Sequence, residues 1–64
     1  MTEQVIILDF NSSSVHIYDL DEDIELDEEY LNELGFDADS VVLMYGFEIP
    51  VVKHKEKLKP KKNV

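Results

Sequence analysis

Val5-Ile6-Ile7-Leu8 sets apolar, mostly β-branched side chains at four successive positions, and this run constrains the fold more than any other part of the chain. It is too short for a core helix. In a strand, where successive side chains point to opposite sides, it makes both faces apolar, so the segment 4–10 reads as a central strand. Asn11-Ser12-Ser13-Ser14 has turn chemistry, and Val15-His16-Ile17-Tyr18-Asp19-Leu20 returns as a second strand. The chain therefore opens with a hairpin.

The stretch that follows is crowded with acid: nine of the fifteen residues from Asp19 to Glu33 are carboxylates. A long helix starting at Asp21 would stack Asp21, Glu25, Glu29 and Glu33 at i, i+4 spacing, each like-charge pair costing about 0.2–0.5 kcal/mol. A short helix over 28–34 avoids this. Asp27 then serves as N-cap, Glu28 and Glu29 lie in the first turn where the helix dipole favours them, and Leu26 staples onto Leu31. Gly35 supplies the left-handed residue past the helix end, and Phe36 folds back on Leu31. The helix should point Tyr30, Leu31 and Leu34 inward, onto Ile6, Leu8, Ile17 or Val42 of the sheet.

Val41-Val42-Leu43-Met44-Tyr45 is a further apolar strand, which Gly46 is expected to break or bulge. Residues 47–52 resume an extended pattern, confined to a sheet edge because Pro50 has no backbone donor. The expected fold is α+β: a small, mainly antiparallel sheet in the order ββαβ(β), with one short helix packed on one face. Residues 1–52 form an acidic globular domain, and residues 53–64 a lysine-rich tail or edge-strand extension.

Charge divides the chain at the same place. Residues 1–52 hold fourteen carboxylates and neither lysine nor arginine, a formal charge of -14, while residues 53–64 carry six lysines against Glu56, which brings the net to -9. With 64 residues and no cysteine, the fold has a thin stability margin and no disulfide to widen it, and self-association is the cheapest reinforcement. The first residues lack the positive region of a secretory signal, and no apolar run approaches the length needed to span a bilayer. These features point to a soluble cytoplasmic protein with no membrane partner.

The candidate chemical constellations are few. Asp19, Asp21 and Asp23 alternate like the opening of a calcium loop, but the required glycine position holds Ile24 and the closing glutamate position holds Tyr30. Only weak divalent-cation binding would follow, so no metal site and no cofactor is expected. Asp9, Ser12, Ser13, Ser14 and His16 are the residue types of an activated nucleophile, yet they share one hairpin and have no deep pocket. Two glycines and no arginine exclude a glycine-rich phosphate loop and a guanidinium clamp. The expectation is therefore a protein that is not an enzyme and has no catalytic residues.

The segment Val5-Ile6-Ile7-Leu8-Asp9-Phe10-Asn11-Ser12-Ser13-Ser14-Val15-His16-Ile17-Tyr18 resembles the opening hairpin of short, acidic, uncharacterised proteins of Bacteroides-type gut bacteria and their phages. In these a V-I-I-L-D-[FY] strand passes through a Ser/Thr/Gly turn into V-H-[IV]-[YF]. The resemblance covers about a fifth to a quarter of the chain. It implies the hairpin and a phage or mobile-element origin, and no activity. This chain departs from the pattern in having no glycine in the turn.

Function is then expected to reside in surface charge. A non-enzymatic interaction protein would use Asp21, Glu22, Glu25, Glu28, Glu29 and Glu33 to bind a basic protein surface, with mimicry of nucleic acid and inhibition of a nucleic-acid-binding protein as its specific form. Lys53, Lys55, Lys57 and Lys59 of the tail would contact an acidic surface, its own or a neighbour's. Direct nucleic-acid binding is disfavoured by the net charge and by the lack of interleaved aromatics. The alternative is a small self-associating structural or accessory protein, such as a homodimer, joined through an exposed strand edge.

Overall fold

A computed structural model describes residues 2–22 and 24–61 of the chain. Strand β1 (Glu3–Asp9) pairs antiparallel with β2 (Ser14–Leu20) on one side and with β3 (Val41–Phe47) on the other, giving the order β2-β1-β3. The doubly apolar first strand is central, as its composition requires. Cross-strand rows follow from the register: Val5 lies between Tyr18 and Tyr45, Ile6 between Ile17 and Met44, Ile7 between His16 and Leu43.

Helix α1 (Glu28–Glu33) carries the expected caps. The Asp27 carboxylate accepts from the Tyr30 amide at 2.8 Å. At the other end Leu34 is the C-cap, Gly35 takes φ +95°, and the amides of Gly35 and Phe36 donate to the carbonyls of Asn32 and Leu31 at 3.1 and 2.9 Å. This paired closure defines a Schellman motif, and it drops Phe36 into the core beside Leu31. A 3-10 turn (Ala38–Ser40), capped by the Asp37 carboxylate, leads into β3.

The core consists of Val5, Ile7, Leu20, Leu26, Leu31 and Phe36, with Ile24, Ala38, Val41 and Leu43 packed against it. The helix therefore covers the face bearing Val5 and Ile7. Ile6, Leu8, Ile17 and Val42, the residues expected to receive it, are on the opposite face. The covered face also supplies polar anchors: the Tyr45 hydroxyl accepts from the Leu26 amide at 3.1 Å, and the rings of His16 and Tyr18 meet Phe36 edge-on at 5.0 and 6.5 Å. The Tyr45 hydroxyl satisfies a backbone donor of the crossing segment, which the apolar side chains of rows Ile17-Ile6-Met44 and Val15-Leu8-Val42 on the other face could not do.

Three further expectations are corrected. Leu31 alone is buried from α1, whereas Tyr30 and Leu34 are 38% and 39% exposed, because six residues make too short a helix to turn three side chains inward. Gly46 neither breaks nor bulges β3, which passes through it in register with Gln4. Its missing side chain instead seats Ile49: a Cβ there would stand 3.0 Å from Ile49 Cγ1. Residues 47–52 form no further strand beyond Phe47, since Glu48 turns the backbone to φ +48° and Pro50 follows. Gln4 closes this end of the sheet, donating to Asp19 on β2 and accepting from the Ile49 amide, both at 2.9 Å. Residues 50–61 are exposed.

Candidate functional site

Ten of the fifteen carboxylates fall into two sets. Asp9 accepts from the Asn11 amide and the Ser12 hydroxyl, Asp19 from Gln4, Asp27 from Tyr30, and Asp37 from Asp39 and Ser40. Asp9, Asp27 and Asp37 hold turns and caps, the local role for which an Asp side chain has the right reach, while Asp19 joins its strand to β1. Asp21, Glu22, Glu25, Glu28, Glu29 and Glu33 are all exposed and none accepts a hydrogen bond among the described residues. They extend from the end of β2, along the extended segment before the helix, and over α1. Only Glu28, Glu29 and Glu33 are on helical backbone, Glu29 and Glu33 one turn apart. Asp23 lies outside the described residues, and with it part of the calcium-like triplet. Among the described residues no three His, Asp or Glu side chains gather as a metal site.

Beside this acidic strip is a groove of about 260 Å³ between α1 and β2, lined by Tyr18, Leu20, Ile24, Leu26, Tyr30 and Leu34, with Asp21 at its margin. That volume is below the usual range for small-molecule sites and holds about one or two side chains. Tyr30 and Leu34, too exposed for the core, form its outer wall. An apolar slot edged by unengaged carboxylates is suited to a segment that is both basic and apolar. Sequence reasoning found the acids but not the slot, which exists only because α1 and β2 leave a gap between them.

The hairpin turn assembles a different constellation. Asp9 accepts from Ser12, Ser12 bonds Ser14 through their hydroxyls, and Ser14 Oγ lies 2.8 Å from His16 Nε2. The residues whose types suggest an activated nucleophile are thus connected, except that Ser13 stands apart at φ +55°. Their order differs from that of a catalytic triad, in which the carboxylate holds the imidazole nitrogen remote from the nucleophile. Here Asp9 is at the serine end, so it fixes the turn and leaves the imidazole unoriented. His16 is braced instead by Phe36.

Lys53, Lys55, Lys57 and Lys59 are exposed, in a segment without regular secondary structure. Hydrogen bonding to the sheet ends at Ile49 among the described residues. The structure therefore does not bring the tail lysines onto the acidic strip of their own chain. Lys62 lies outside the described residues. No helix among those described is long and apolar enough to cross a membrane. Comparison with family models, curated proteins and solved structures finds no match.

Proposed function

We propose that this protein is a non-enzymatic interaction module that binds a basic protein segment along Asp21, Glu22, Glu25, Glu28, Glu29 and Glu33. The observation that carries this reading is the place of these acids: four aspartates elsewhere are engaged in side-chain hydrogen bonds, while these six, exposed and unengaged, lie together beside an apolar groove. Lysine or arginine heads would meet the carboxylates, and an apolar side chain of the same segment would enter between Tyr30 and Leu34. A nucleic-acid-binding protein whose groove accepts phosphates is one class of partner with the right charge, and inhibition by occupying that groove is the corresponding mode of action.

The test is affinity capture from lysate by the intact chain and by a variant with Glu28→Gln, Glu29→Gln and Glu33→Gln, eluted in a salt series from about 0.05 to 0.5 M. The intact chain should retain basic proteins that elute early and that the variant fails to retain. Equal capture by both, or retention insensitive to salt, would refute the proposal. Duplex DNA competing for the captured protein would support the inhibitory mode. The second reading, self-association through a strand edge, rests on the outer edges of β2 and β3, which have no ladder partner among the described residues. Edge pairing would persist through the same salt series.

A further inference from the structure

The face of the sheet opposite α1 is built from two cross-strand rows, Ile17-Ile6-Met44 and Val15-Leu8-Val42. In a chain with 33% charged residues, neither row contains a charge or a hydrogen-bonding side chain. Val15 is 65% exposed, Met44 52%, Val42 50% and Ile17 43%. The third row, Asp19-Gln4-Gly46, is polar and self-bonded at one margin. From these six side chains the open apolar area is on the order of 500 Å², the upper end of what a monomer leaves in one patch.

We infer that a second copy of this chain covers this face, forming a two-fold dimer of stacked sheets with its axis parallel to the strands. Two such patches remove on the order of 1,000 Å² from water, the threshold for a specific interface, with sheets about 10 Å apart and strands nearly aligned. Charge selects the axis. A two-fold along the strands sets β2 of one copy over β3 of the other, so the polar row Asp19-Gln4-Gly46, with Ile49 folded over Gly46, comes opposite the same polar row of the partner subunit and the apolar rows meet each other. A two-fold across the strands would instead press Asp19 onto the partner subunit's Val15, burying a carboxylate against an aliphatic surface.

The tail favours the same axis. Ile49 folds over Gly46 and donates to Gln4 on the open face, so the lysine-bearing segment begins at the polar edge of that face. In the dimer this edge adjoins the end of the partner's β2, from which the exposed Asp21 and Glu22 continue. The segment that carries Lys53, Lys55, Lys57 and Lys59 thus begins beside the carboxylates of the other copy, offsetting the repulsion between two chains of net charge -9. Both helices face outward, leaving Glu28, Glu29 and Glu33 of each copy accessible, so the dimer is independent of the partner-binding reading and doubles its sites.

Sedimentation equilibrium of the full chain should show a reversible dimer. Val15→Lys and Met44→Lys, at positions at least half exposed in the monomer, should each abolish it while leaving the far-ultraviolet circular dichroism unchanged. In mixed labelled and unlabelled wild-type protein, isotope-filtered NOEs should connect the methyls of Val15 in one copy with those of Val42 in the other. This measurement needs no variant to fold. A chain that remains monomeric to about 1 mM, a dimer that survives both substitutions, or intermolecular NOEs pairing Val15 with Asp19 would each overturn the inference. So would saturable shifts of the open-face methyls on adding a foreign protein to a monomeric chain.

Discussion

Leu31→Ala should remove a large share of the stability of this domain. Leu31 is 4% exposed, is the only buried residue of α1, and shares the core with both Leu26, before the helix, and Phe36, after it. Deleting three buried carbons costs about 2.4 kcal/mol at about 0.8 kcal/mol each, and the residual cavity raises the total toward 3–4 kcal/mol, within the range of buried Leu→Ala changes. A core of six residues beside solvent can partly collapse, which keeps the cost from the top of that range. The whole domain is worth roughly 3–10 kcal/mol at 0.05–0.15 kcal/mol per residue. Urea unfolding followed by circular dichroism at fixed protomer concentration measures the difference, and Leu34→Ala, at a position 39% exposed, is the internal control at under about 1 kcal/mol. A fall in melting temperature of at least about 10 °C is expected for Leu31→Ala. A cost no greater than that of the control would show that α1 is not held by this contact.

Tyr45→Phe keeps the ring but removes the acceptor of the part-buried Leu26 amide, so it should cost about 1–3 kcal/mol; hydrogen exchange at Leu26 should quicken, and an unchanged rate would contradict the bond. Asp27→Ala removes the N-cap and should cost about 1 kcal/mol by chemical denaturation, with a loss near zero counting against its capping role. Ser13→Gly relieves a left-handed residue at φ +55° and should stabilise the hairpin by about 0.5–1 kcal/mol, unlike Ser12→Gly, which breaks the bond to Asp9. A lower melting temperature for Ser13→Gly would refute strain at that position.

What could be read from sequence was the chemistry that acts over a few residues. Asp27, Gly35 and Phe36 each name a helix boundary through hydrogen bonds that span at most five residues, and all three stand in those roles. The side of the sheet that α1 covers could not be read the same way. Val5-Ile6-Ile7-Leu8 offers equally apolar sets to both faces, and the choice rests on Tyr45 reaching the Leu26 backbone and on Phe36 meeting His16 and Tyr18. Gly46 shows the same limit: a glycine inside a strand signals either a bulge or a close approach, and only the position of Ile49 distinguishes them. At the candidate site the acids were legible by composition, while the groove depends on the gap between two elements.

The central place of β1 has a kinetic consequence. Its pairing with β2 closes a four-residue turn, but its pairing with β3 joins residues such as Ile7 and Leu43, 36 positions apart. Local closure is fast and distant closure slow, so the hairpin should form first and wait for β3. During that wait the free edge of β1 displays Val-Ile-Ile-Leu, a short, uncharged, β-prone segment able to pair with the same segment of another chain. The step that completes the sheet is therefore also the step that protects it: substitutions in β3 such as Leu43→Ala should raise aggregation during refolding more than they lower equilibrium stability.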